Sequence, residues 1–194
     1  DGSTDNSEQI LIDFQSKYSL LKIINIRPEE KKHKGKKFAL DLGIRQAKNQ
    51  YLLLTDADCE AVSDNWISKM MQHFDSETEM VLGIAPYHHT GTFLSKMVSY
   101  ETTMTMIQYI SYALWGMPYM GVGRNIAYTK SLYEKVGGMK GHLDIISGDD
   151  DLFVQSARKQ THVAVCMEKD TFMYSQAPED FKNWWSQKTR HYST

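Results

Sequence analysis

From Tyr51 to Asp58 the chain reads Tyr-Leu-Leu-Leu-Thr-Asp-Ala-Asp, an apolar run that stops at two carboxylates. Large apolar residues in succession, without polar alternation, predict a strand covered on both faces of a sheet. Residues 20–26 predict another strand, after a short helix from about 7 to 17. Leu40, Gly43, Ile44 and Ala47 recur at i, i+3, i+4 and i+7, the spacing of an amphipathic helix that leads into the Tyr51 strand. Ser63 is placed to cap a helix carrying Trp66, Ile67, Met70, Met71 and Phe74. Residues 81–85 read as a further buried strand, closed by Pro86. A Met- and aromatic-rich helical stretch follows over 93–119, too often interrupted by polar residues for a membrane span and expected to lie mostly in the core. Residues 121–125 turn into a strand at Ile126-Ala127-Tyr128, Gly137-Gly138 ends the next helix, and Ser147 caps one that opens on Asp149-Asp150-Asp151. Short strands at 162–166 and 171–174 precede a closing helix from Pro178. Strands alternating with helices in this way predict an α/β fold with a mostly parallel central sheet flanked by helices, in a single domain over 1–194.

Composition narrows the class. The 194 residues suffice for one domain with its own core, and the formal net charge of −2 argues against a general nucleic-acid binder. Cys59 and Cys166 are the two cysteines; their spacing suits neither a metal knuckle nor a redox pair, which favours a reducing compartment. A run of about 18 apolar residues, as a spanning helix requires, is absent from the sequence. The chain opens on Asp1-Gly2-Ser3-Thr4-Asp5, which reads as the interior of a loop; the expectation is a soluble fragment lacking its first strand.

Candidate chemistry gathers where apolar runs end. In open α/β sheets ligands sit beyond the carboxyl ends of the strands. Asp56 and Asp58 lie there, and share a side if the extended geometry persists. Such a pair suits Mg2+ or Mn2+ together with ribose hydroxyls; the plainer alternative is that Asp58 begins the loop toward Ser63. Asp149, Asp150 and Asp151 could complement a helix N-terminus, or could include a general base acting on an alcohol. Trp184, Gln187 and His191 fall on one helix face with Arg190 adjacent, either a packing surface or a donor set for diphosphate. Lys36, opening a helix after Gly35, either belongs to a solvated lysine loop or aims at a nucleotide. Asp1 is a turn residue or a carboxylate for a nucleotide base or ribose. His88 and His89 lack helical ligand spacing, so zinc is not expected there.

In order and spacing, these segments resemble the family 2 inverting glycosyltransferases of the GT-A fold. The resemblance runs through Asp1-Gly2-Ser3-Thr4-Asp5, Gly35-Lys36, Thr55-Asp56-Ala57-Asp58, Gly121-Val122-Gly123-Arg124-Asn125, Ser147-Gly148-Asp149-Asp150-Asp151 and Gln187-Lys188-Thr189-Arg190. It implies a UDP- or GDP-linked sugar donor, Mn2+ or Mg2+, and transfer to a glycan or lipid-linked acceptor hydroxyl in cell-surface or extracellular glycan synthesis. On this pattern Asp1 holds the nucleoside, Asp56 lies near the ribose and base, and Asp58 carries the metal. Asp150 is the catalytic base with Asp149 beside it, while Gln187 and Arg190 lie over the diphosphate and acceptor; Lys36 assists with leaving-group charge. His191 stands where the family usually has Trp, and Asp149 replaces the commoner Glu. Family members commonly carry membrane helices beyond the Gln-x-x-Arg element, so the full-length parent is expected at the cytoplasmic face of a membrane. A sugar-nucleotide nucleotidyltransferase and a non-catalytic binding module are the competing readings.

Overall fold

Residues 2–27, 36–138 and 148–192 are described by the computed structural model, with the backbone alone for Asp149 and for 190–192. The chain divides into two units, Asp1–Ala47 and Lys48–Thr194. The first carries α1 (Ser7–Lys17) and α2 (Lys37–Gln46). Asp5 Oδ1 accepts a hydrogen bond from the Ser7 N–H at 3.0 Å as the chain enters α1. Hydrogen bonding from Ser7, the side chain first and the backbone second, stabilises the ionised form and holds the Asp5 carboxyl below its ordinary value. Residues 20–26, predicted as a strand, form no ladder among the described residues. Among the described residues, a turn bond from Leu21 N–H to the Tyr18 carbonyl and a bond from Gly2 N–H to the Ile26 carbonyl, each 2.9 Å, stand where a strand needs a row of them.

The second unit holds β1 (Tyr51–Leu54), β2 (Cys59–Ala61), α3 (Trp66–Met71), β3 (Thr78–Leu82), α4 (Phe93–Leu114), β4 (Ile126–Thr129), α5 (Lys130–Lys135), α6 (Asp149–Ala157), β5 (His162–Val165), β6 (Met173–Ser175) and α7 (Phe181–Tyr192). The main sheet has the order β1-β4-β3-β5. β4 is antiparallel to both neighbours, whereas β3 and β5 are parallel. β1, β3 and β5 therefore point one way, the shared direction expected of a mostly parallel sheet, and β4 runs against them from its place between β1 and β3. The register pairs Leu54 and Leu82 with Ile126, and Leu82 with Val165. One edge of the sheet thus collects the carboxyl ends of β1, β3 and β5 and the start of β4. β2 and β6 form a separate antiparallel pair, Cys59 opposite Ser175.

The central strands are apolar because they are covered on both faces: Met80, Val81, Ile126 and Ala127 are essentially inaccessible. The outer strands β1 and β5 each begin on an exposed residue. Tyr128 of β4 packs against Phe153 of α6 and Tyr133 of α5, ring centroids 4.6 and 6.1 Å away. Replacing Leu82 by Ala would cost about 3 kcal/mol at such a site. α5 ends in a Schellman motif, with Gly138 N–H to the Tyr133 carbonyl, Gly137 N–H to the Glu134 carbonyl, and Gly137 at φ 86°.

Several boundaries differ from the sequence pattern. Ser63 does not cap α3: its Oγ accepts from the Asn65 N–H at 3.0 Å, forming a turn that delivers Asn65 to the cap position. Phe74 lies past the end of that helix. β3 runs from Thr78 to Leu82 rather than over 81–85, and the Gly83 N–H donates to the Asn125 carbonyl one step further along the β3–β4 register. Gly148, at φ 75°, is the N-cap of α6; Ser147 lies outside the described residues. α7 begins at Phe181 rather than at Pro178, because Asp180 Oδ1 accepts from the Asn183 N–H at 2.7 Å and supplies the cap. The helix over 93–119 is not mostly core. α4 buries Ser95, Val98, Tyr109, Ile110 and Ala113, one stripe of its surface. Phe93, Tyr100, Leu114 and Trp115 are exposed.

Candidate active site

β1 delivers its acidic tail to the shared sheet edge. The strand ends at Leu54, and a turn at Ala57-Asp58 follows, closed by the Cys59 N–H on the Asp56 carbonyl at 3.2 Å. Extended geometry does not persist through Asp58, so strand alternation no longer aligns the two carboxylates. Asp56 is half-buried and Asp58 exposed. Asp58 Oδ1 accepts from the Cys59 thiol at 3.6 Å. Burial and the Asp58 charge both push the Cys59 thiol up from its ordinary value.

Asp150 reaches the same edge from α6. Its Oδ2 accepts from the Gly123 N–H at 2.9 Å, within the 3₁₀ turn Gly123–Asn125 that opens into β4. Asp151 Oδ1 lies 3.4 Å from the Gly121 N–H. Two acids of the triplet are therefore seated on one glycine loop. A Cβ on Gly123 would stand 2.4 Å from Asp150 Oδ2, so this close approach requires glycine.

The rest of that loop fixes the walls. Arg124 donates from Nη1 to Ser175 Oγ at 2.6 Å and from Nη2 to the Ala85 carbonyl at 2.9 Å. Its guanidinium lies 4.4 Å from the centroid of the Tyr87 ring, a cation–π contact. Ser175 faces Cys59 across the β2–β6 pair, so the chain beside Asp58 and the loop beneath Asp150 meet through Arg124. Asn125 is fully buried. Its Nδ2 donates to the Ile84 and Thr171 carbonyls, and its Oδ1 accepts from Trp66 Nε1. Every polar atom of this amide is engaged, as burial demands.

α7 closes the arrangement. Gln187 Nε2 donates to the Tyr87 hydroxyl at 3.4 Å, and Lys188 pairs with Glu101 of α4 at 2.6 Å. Between α4, α7 and the Gly121–Asn125 loop lies a pocket of about 170 Å³, lined among others by Ser99, Tyr109, Val122, Trp184 and Gln187. Tyr109 spans its base and donates to the Gly83 carbonyl at 2.8 Å; burial raises this phenol well above its ordinary value. Ser99 Oγ and Trp184 Nε1 are buried there without a hydrogen-bond partner among the described residues. Orphaned donors at the wall of a concave site mark where a ligand's polar atoms would be received.

Of the residues expected from sequence, Asp56, Asp58 and Asp150 lie along one sheet edge, and Gln187 joins them through Tyr87 and Arg124. Lys36 is exposed and immediately precedes α2 in the first unit. Asp1, and the side chains of Asp149 and Arg190, lie outside the described residues. Sequence reading missed Tyr87, Arg124 and Asn125 as organisers of the site. The available signal was an Arg-Asn pair flanked by closely spaced glycines, which asks for buried polar side chains meeting bare backbone.

Fold and site together define an α/β domain of the GT-A type, and solved structures share that fold. A mannosyltransferase from Pyrobaculum calidifontis, in complex with GDP-Man and Mn2+, superposes with a TM-score of 0.66 at 16% identity, over 94% of this chain and 48% of that one. S. aureus TarS (1-349) in complex with UDP-GlcNAc gives 0.60 at 15% identity, over 94% and 49%. Among curated proteins, the probable glycosyltransferase YdaM of Bacillus subtilis is 24% identical over 204 residues, covering 98% of this chain and 45% of its own length. The chain thus spans about half the length of that relative. The profile of glycosyl transferase family 2 matches residues 1–137, and the chain belongs to that family.

Proposed function

We propose that residues 1–194 are part of one catalytic domain of a metal-dependent, inverting glycosyltransferase, which moves a sugar from a UDP- or GDP-linked donor to an acceptor hydroxyl. The observation that carries this reading is the seating of Asp150 on the Gly123 amide, at the sheet edge where Asp56 and Asp58 leave β1. Family membership supports it, and the match over 1–137 runs across the division at Ala47. The complexes of same-fold proteins with GDP-Man and UDP-GlcNAc support a nucleotide-sugar donor.

Asp58 offers an exposed, hard oxygen donor, which fits Mn2+ or Mg2+. When bound, such an ion supplies Lewis-acid stabilisation to the departing diphosphate. Asp56 holds ribose hydroxyls, and Asp1 the nucleoside. Asp150 keeps one oxygen on the Gly123 amide, and takes the acceptor proton as the hydroxyl attacks from the face opposite the leaving group. Asp149 beside it biases the carboxylate toward accepting that proton. Gln187, Arg190 and Lys36 orient and neutralise the diphosphate. The acceptor, a glycan or a lipid-linked sugar, enters by the pocket at Val122 and Trp184, one residue from the Gly123 amide that holds the base. The full-length protein works at the cytoplasmic face of a membrane, in the synthesis of cell-surface or extracellular glycans. Among the described residues no helix is long and apolar enough to cross a membrane, so that association would rest on other segments.

Asp150→Asn tests the assignment. Turnover of the nucleotide sugar should fall by about 10²–10⁴-fold, the usual worth of a general base. The thermal shift produced by UDP or GDP with Mn2+ should be retained, and should vanish in Asp58→Ala. Undiminished turnover in Asp150→Asn would refute the catalytic reading.

A further inference from the structure

Behind the β3–β5 pair, His73, Cys166 and Glu168 each present one ligand atom, and these atoms lie within 4.8 Å of one another. Sequence spacing hides the group. His73 follows the last turn of α3, while Cys166 and Glu168 lie just after β5. The Cys166 N–H donates to the Leu82 carbonyl, which draws the cysteine onto the sheet beside Met70 of α3. We propose that this cluster is a second metal site, selective for a borderline-soft divalent cation such as Zn2+ or Co2+.

The state of each ligand supports this. His73 Nε2 is buried and lacks a hydrogen-bond partner among the described residues, an arrangement that costs stability unless something occupies the space before it. Its nearest acidic neighbour, Glu168 Oε1, is 3.9 Å away, too far for a hydrogen bond. An ion would draw the two together by a few tenths of an ångström, since tetrahedral Zn–N and Zn–O bonds of about 2.0–2.2 Å place nitrogen and oxygen roughly 3.3–3.5 Å apart. Lys69 binds the other carboxylate oxygen, Oε2, and so keeps Oε1 turned toward the imidazole. Cys166 Sγ lies 3.3 Å from Thr171 Oγ1. The Thr171 hydroxyl proton is committed to the Glu168 carbonyl at 2.7 Å, so the thiol donates to Thr171 and its lone pairs remain for a metal.

Imidazole, thiolate and carboxylate together favour zinc-like ions over Mg2+, in contrast to the oxygen donors at Asp58. Binding releases the thiol proton to solvent, and water completes the fourth position. Zn2+ with one thiolate and one carboxylate is neutral, so the Lys69 ammonium beside it is not opposed by net charge. The ion would clip the end of α3 to the segment between β5 and β6, independently of catalysis.

Co2+ titrated into the metal-free chain tests the proposal. The wild type should develop a thiolate-to-Co2+ charge-transfer band in the near ultraviolet. The band should be lost in Cys166→Ser and retained in Cys59→Ser and Asp58→Ala. His73→Ala removes a half-exposed residue, so its fold should survive, as circular dichroism would verify. Its Co2+ affinity should drop by about 100-fold or more. Absence of the band in wild type, its persistence in Cys166→Ser, its disappearance in Cys59→Ser, or unchanged affinity in His73→Ala would each overturn the assignment. None of these readouts depends on glycosyl transfer, so failure here leaves the proposed activity standing.

Discussion

At Gly123 a hydrogen atom stands where any other residue would place a carbon 2.4 Å from Asp150 Oδ2. Gly123→Ala must therefore push the carboxylate aside or tilt the amide that holds it. A shift of the order of 1 Å at a reacting group costs about 100-fold in rate. We expect kcat to fall by that order while the thermal shift from nucleotide and Mn2+ persists; a wild-type kcat would show that Asp150 needs no such seat. Placement at the sheet edge was legible where a motif carries it, as at Asp58 and Asp150. Placement was hidden where two distant residues share a contact. Nothing local to Cys166 announces His73, and nothing local to Tyr87 announces Gln187 one hundred residues later.

Among the elements, those with long or strongly apolar patterns were readable: β1, α4 and α7 lie near their expected positions. The pattern marked Ile126-Ala127-Tyr128 as a strand but not its partners, because apolar alternation records burial and not strand direction. The start of α7 was misplaced at Pro178 since Asp180 three residues before Asn183 is as good a cap signal, and the carboxylate decided the boundary. The entry to β3 offers a test at this scale. Asp75 Oδ1 accepts from the N–H groups of Glu77 and Thr78, each at 2.8 Å. These bonds favour the ionised carboxylate and hold its pKa below the ordinary 3.8. The stabilisation is thus fully present above 3.8 and is lost as pH falls through the lower folded value. Asp75→Asn should lower the urea midpoint near neutrality and leave a smaller difference from wild type at about pH 3. Parallel curves for the two proteins at both pH values would contradict this account.

Across the second unit, the Asn125 amide is the tie between its layers. It joins β4 to the exit of β3 through Ile84, to the approach to β6 through Thr171, and to α3 through Trp66. Gly83 makes room for it, since a Cβ there would lie 2.5 Å from the amide. Asn125→Ala strands the Thr171 carbonyl and the Trp66 indole N–H, while the Ile84 carbonyl keeps the Met173 N–H. Its expected cost is about 3 kcal/mol in global stability, read as a drop in the denaturant midpoint with little change in slope. A loss below about 1 kcal/mol would mean that the two orphaned groups find other partners.

The reversal of β4 also sets the breadth of the molecule's mouth. Adjacent strands lie about 4.8 Å apart, so interposing one separates the exits of β1 and β3 by roughly 10 Å. Had those two strands been neighbours, Thr55 and Gly83 would open side by side, leaving a slit too narrow for a glycine loop and an acid between them. The interposed strand acts as a spacer, and the width it creates is built into hydrogen bonds rather than left to loops.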